Sequence, residues 1–113
     1  MSYRADIRDY LIRIAHRHEK IQYKPLGKRF HLNWRSRSLS QVLRDISAFE
    51  YRQGRPMLTA IVVRATGKEK GFPGRGFTEL AERLGKKGRS VDSKAFAAAE
   101  QNEVYAYWLT HAS

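Results

Sequence analysis

Met57-Leu58-Thr59-Ala60-Ile61-Val62-Val63 is a nearly uninterrupted apolar run rich in β-branched residues. A strand with one wet face would alternate apolar with polar residues, so a run without alternation reads as a strand covered on both faces. Carried on to Arg64, it is the expected central strand of a small sheet. Upstream, Ser38-Leu39-Ser40-Gln41 matches a capping box, in which the serine hydroxyl and glutamine side chain satisfy each other's exposed backbone donors. Gly54 and Pro56 supply the stop, which places a helix over residues 39–53 with Leu39, Val42, Leu43, Ile46 and Phe49 inward. Downstream, Gly67, Gly71, Gly74 and Gly76 mark a loop. A short helix over residues 77–84 follows, with Leu80, Ala81 and Leu84 inward and Gly85 as its cap. The last helix starts near Ser93, presents Phe96, Val104, Tyr107, Trp108 and His111 on one side, and has an interruption expected at Asn102.

At the other end, Tyr3, Ile7, Tyr10, Leu11, Ile14, His18 and Ile21 recur at spacings of three and four, the stripe of an amphipathic helix. Asp6, Asp9, Arg13, His16, Arg17 and Lys20 fall off that stripe. Residues 22–37 lose the period. Pro25-Leu26-Gly27 reads as a turn, and Tyr23 with Phe30-His31-Leu32-Asn33-Trp34 as two short strands of a hairpin. The expected fold class is α+β, about four helices gathered around a small sheet.

Composition bounds the function. The 113 residues carry a formal charge of +11, with 42% hydrophobic and 12% aromatic residues. That suits a single basic domain over residues 1–113, able to bury about two thirds of its unfolded surface and to fold without metal or disulfide. With no cysteine, thiolate catalysis, disulfides and Cys-ligated zinc are excluded. The polar N-terminus and the lack of a long apolar run point to a soluble, cytoplasmic protein, monomer or homodimer, with no membrane partner.

From Lys20 to Arg44 the chain holds Lys20, Lys24, Lys28, Arg29, Arg35, Arg37 and Arg44, interleaved with Tyr23, Phe30 and Trp34, and no carboxylate. Cations neutralise phosphates and release counterions, while rings offer bases a stacking surface, so the pattern suits a polyanion with exposed bases. Lys24, Lys28, Arg29, Arg35, Arg37 and Arg44 are the candidate phosphate contacts, and Phe30 and Trp34 the stacking or wedging rings. Lys68, Lys70 and Arg75 in the glycine loop and Lys86, Lys87 and Arg89 in a second basic loop extend the footprint.

Arg55-Pro56 and the apolar run, followed by Phe72-Pro73-Gly74-Arg75-Gly76-Phe77, Leu80-Ala81 and Leu84-Gly85, resemble a group of short, functionally uncharacterised bacterial and phage proteins. The resemblance implies a compact stand-alone domain and brings no activity or residue roles with it.

Other constellations carry less. Gly71-Phe72-Pro73-Gly74-Arg75-Gly76-Phe77-Thr78 has the spacing of a phosphate-binding P-loop, but Phe77 stands where that motif needs its lysine. A tight turn with both phenylalanines folded onto the core is the simpler reading. Glu50 and Glu100 fall on the inward sides of their helices, where a carboxylate must be paired or protonated; pairing with arginine is the commoner outcome. His16, His18, His31 and His111 lack metal-ligand spacing. No metal and no cofactor are expected. Trp34, between Asn33 and Arg35, is expected at the surface rather than in the core.

The expected function is a nucleic-acid-binding domain, for DNA or RNA, with no catalytic step. The alternative is a small phage or defence-system interaction protein or inhibitor that docks on an acidic protein partner. A small RNase or toxin, using His31 or His16 with Glu50, ranks third.

Overall fold

The computed structural model describes residues 4–111; Tyr3, the first position of the N-terminal stripe, lies outside them. Within them the chain forms α1 (Ala5–His16), β1 (Ile21–Gln22), α2 (Tyr23–Arg29), α3 (Arg37–Arg52), a 3-10 turn (Leu58–Ile61), β2 (Val62–Val63), α4 (Arg75–Arg83) and α5 (Ser93–Thr110). The coarse class, helices with a small sheet, is as expected; five α-helices stand where about four were expected, and of the expected central strand over Met57 to Arg64 only Val62–Val63 forms a strand, the residues before it being a 3-10 turn. Residues Met57 to Val63 are at most 5% exposed and lie at the centre of the molecule, with α1, α3 and α5 packed on the 3-10 turn. Burial on every side explains the continuous apolarity, and an apolar run buried all round has no period to tell turn from strand.

The backbone and polar groups of this central turn are satisfied by side chains from the helices around it. Glu100 on α5 accepts the Met57 N–H at 2.8 Å, Gln101 donates to the Ala60 carbonyl at 2.9 Å, and Ser47 on α3 accepts the Thr59 N–H at 3.2 Å. Ser47 and Thr59 also share a hydroxyl hydrogen bond of 2.6 Å. Unpaired, such buried polar groups would each cost about 1–3 kcal/mol.

The sheet is a single parallel pair, Ile21 opposite Val62 and Gln22 opposite Val63. It replaces the expected hairpin, whose first strand is instead α2. Pro25 is tolerated there because it sits in the first helical turn, where backbone N–H groups have no intrahelical partner. α1 stops at His16, short of the expected Ile21: His18 adopts a left-handed φ of 57° and Ile21 enters β1.

Helix ends follow local chemistry. α3 begins two residues before the expected start. Its cap is Ser36, which accepts the Ser38 N–H, while Gln41 reaches forward to Asp45 instead of closing a box with Ser38. Gly54 and Gly85, at φ 75° and 78°, end α3 and α4 with paired bonds typical of a left-handed stop, Arg55 N–H to Glu50 and Gly54 N–H to Tyr51 in the first, Lys86 N–H to Ala81 and Gly85 N–H to Glu82 in the second. α5 runs through Asn102 without interruption from its Asp92 cap.

Candidate nucleic-acid interface

The turn after α2 positions Trp34. Its backbone packs on Gly27, where an added methyl would lie 3.0 Å from Trp34 Cβ and 2.7 Å from the Leu32 carbonyl. Trp34 is thereby held at the surface, 37% exposed, with the Arg35 guanidinium 4.9 Å from its ring centroid. Beside it opens a cavity of about 530 Å³, lined by Tyr23, Trp34, Arg35, Arg44, Arg64 and Arg75 together with residues of α3 and α4.

Besides the turn that carries Arg35, three parts of the chain bring these cations together. α3 contributes Arg44, and the start of α4 contributes Arg75. Arg64 directly follows β2, and the parallel register sets Val63 beside Gln22, which brings Arg64 next to Tyr23. Glycines make the close packing feasible. A methyl on Gly76 would sit 3.5 Å from Arg44 Nε and Nη2, and one on Gly74 would sit 3.4 Å from Arg64 Nε and from Tyr23 Oη. Gly74 N–H donates to Tyr23 Oη at 2.8 Å. Burial pushes the Tyr23 phenol above its ordinary value, while that hydrogen bond and the Arg64 cation act against the rise. Among the described residues, none of Arg35, Arg44, Arg64 and Arg75 has a carboxylate within ion-pair distance, and Glu79 is the single acidic residue of the lining.

Of the residues expected from sequence, Trp34, Arg35, Arg44 and Arg75 meet in this cavity. Lys24, Lys28, Arg29, Arg37, Lys68, Lys70 and Arg89 are exposed but do not line it. Three expectations need correction. Phe30 is half-buried, edge-on to Tyr10 at 5.5 Å, and anchors α2 to the core instead of offering a free ring. Lys87 is buried, its ammonium donating to Glu82 at 3.0 Å and to the Gly88 carbonyl at 2.9 Å. Lys86 is paired with Glu100. Arg64 is the cavity cation absent from the expected set, and Tyr23, named among the interleaved aromatics but given no contact, joins it there. Arg64 stands at the end of an apolar run, and only non-local strand pairing gives it a place in the site.

The carboxylates, histidines and glycine loop singled out in the sequence have the following partners. Glu50, fully buried, accepts from Arg8 Nε at 2.6 Å and from Arg55 Nε at 2.6 Å, and this carboxylate raises the Arg55 guanidinium above its ordinary value. His18 stacks on Tyr105 and His111 on Tyr107, and no group of three metal-ligating side chains occurs among the described residues. Phe77 is 7% exposed and Phe72 packs against the core, as expected for a structural turn in place of a P-loop. No helix among the described residues is long and apolar enough to cross a membrane.

Comparison with protein-family models, with curated proteins and with solved structures finds no match. The functional reading therefore rests on the geometry.

Proposed function

We propose that this protein binds single-stranded nucleic acid without a catalytic step, through the arginine cavity and the basic surface of α2 and its following turn. The observation that carries the reading is the convergence of Arg35, Arg44, Arg64 and Arg75, without carboxylate partners, beside the exposed ring of Trp34. Guanidinium groups left without internal counter-charge are suited to phosphate oxygens, and they bind them in a forked, two-bond geometry. A surface ring next to them favours unpaired bases over a duplex, whose bases already stack on each other. Lys24, Lys28, Arg29 and Arg37 then follow the backbone on either side of the bound stretch.

The test is the salt dependence of binding to a labelled single strand, for the unmodified protein and for Arg35→Ala with Arg37→Ala. Affinity should fall steeply with salt, and losing two phosphate contacts should reduce the slope by about 1.4 for a single strand. An affinity indifferent to salt would remove phosphate contact as its basis. Tight binding to an acidic protein with none to single strands would point to the interaction-protein alternative.

A further inference from the structure

Resting on the nucleic-acid reading, we infer that the cavity takes the terminal phosphate of a single strand, a phosphomonoester, rather than an internal linkage. The charge of the site is the first reason. Arg35, Arg44, Arg64 and Arg75 face one cavity against a single acidic side chain, Glu79. An internal diester brings one negative charge and two free oxygens, whereas a terminal monoester brings about −1.5 to −2 at neutral pH and three acceptor oxygens. The second group matches what several unneutralised guanidinium forks can satisfy; the first leaves much of that capacity unused.

Position and size are the second reason. Gly74 and Gly76 let the Arg64 and Arg44 guanidinium groups lie against the start of α4, where both line the cavity. The remaining wall is mixed, with Leu43, Phe77 and Leu80 as its apolar part and the hydroxyl-bearing Ser36, Ser40 and Thr59 beside them. About 530 Å³ is within the range of cavities that enclose a small organic ligand. One nucleotide, its phosphate on the arginines and its base toward Trp34, fits that description. Exposed Lys24, Lys28 and Arg37 remain for the strand beyond it.

The experiment compares one short thymidine oligonucleotide ending in a 5′-phosphate, in a 3′-phosphate or in hydroxyls only, by fluorescence anisotropy on the unmodified protein. AMP and a phosphoserine peptide serve as competitors. The expected result is about tenfold tighter binding of one phosphorylated end over the hydroxyl strand, the size of one added charge-assisted contact. The identity of the better end gives the polarity. Arg44→Gln and Arg64→Gln should bring the ratio to about one, while Arg37→Gln should weaken both strands and keep it. Equal binding of all three strands overturns the inference and leaves the broader nucleic-acid reading intact. Binding of AMP without any strand binding overturns both, as does competition by the phosphopeptide as effective as that of the phosphorylated strand. Because the three strands are compared on the unmodified protein, the outcome does not depend on any variant folding.

Discussion

Gly27→Ala tests whether the placement of Trp34 matters, with no change to its ring or to any charge. The new methyl would meet the Leu32 carbonyl at 2.7 Å and Trp34 Cβ at 3.0 Å, against ordinary contact from 3.4 Å outward. Neither neighbour is the far end of a flexible chain. The Leu32 N–H donates to the Gly27 carbonyl at 2.8 Å, so the turn is held at that point too. Relief requires the 30–34 turn to retreat by about the difference, some 0.7 Å. Overpacking of this kind costs about 1–3 kcal/mol, and replacing a helical glycine by alanine returns about 0.5–1, which leaves a net loss of about 0–2.5 kcal/mol. Displacing the ring should remove most of a stacking contact worth about 1–3 kcal/mol, a fall in single-strand affinity of about fivefold to about a hundredfold. The salt slope should not change, because no cation is removed. Gly54→Ala is the matched control: its φ of 75° strains any alanine, yet no atom lies within 4 Å to be displaced. It should lose about 1–2 kcal/mol and bind normally. Urea denaturation gives the stabilities and fluorescence anisotropy the affinities. If Gly27→Ala binds single strands as well as Gly54→Ala does, the position of Trp34 does not contribute to binding and the stacking argument fails.

Glu50→Gln leaves Arg8 and Arg55 without their shared counter-charge; both reach partly to solvent, so the loss should fall at the lower end of the usual range, about 3 kcal/mol by urea denaturation. Lys87→Ala should destabilise by about 1–3 kcal/mol and leave strand binding unchanged, whereas Arg89→Ala should do the reverse, weakening binding slightly without altering the urea midpoint. Burial raises the phenols of Tyr23 and Tyr105, so the unfolded chain loses these protons first as the solution turns alkaline. Their contribution is complete below about pH 10 and declines as the pH climbs through the raised values, so melting temperatures measured from pH 9 to 11 should fall less steeply for Tyr23→Phe.

What could be read from the sequence was what local chemistry decides. Gly54 and Gly85 stop helices because the left-handed backbone at those points suits glycine, and the glycine is visible wherever it occurs. The central location of Met57 to Val63 was legible for a related reason, since a buried segment needs apolar residues whatever its backbone does. Its conformation was not legible: it depends on Ser47, Glu100 and Gln101, which reach it from elsewhere in the chain. α2 was hidden because Pro25 and Gly27 resemble a turn until the first-turn position of the proline is known. In the site, Trp34, Arg35, Arg44 and Arg75 stood out by type and company. Arg64 and Tyr23 meet only through the parallel pairing of β1 with β2, and Lys87 looked like any surface lysine because charge alone does not reveal a buried partner.

The most direct test of single-strand binding at the arginine cavity is photo-crosslinking of a 4-thiouridine-bearing single strand, with the linked residues mapped by mass spectrometry. The account predicts crosslinks at Trp34 and Tyr23 that disappear when salt is raised or unlabelled strand is added. Crosslinks confined to the exposed Leu109 end of α5, or none under conditions where the strand is bound, would contradict it.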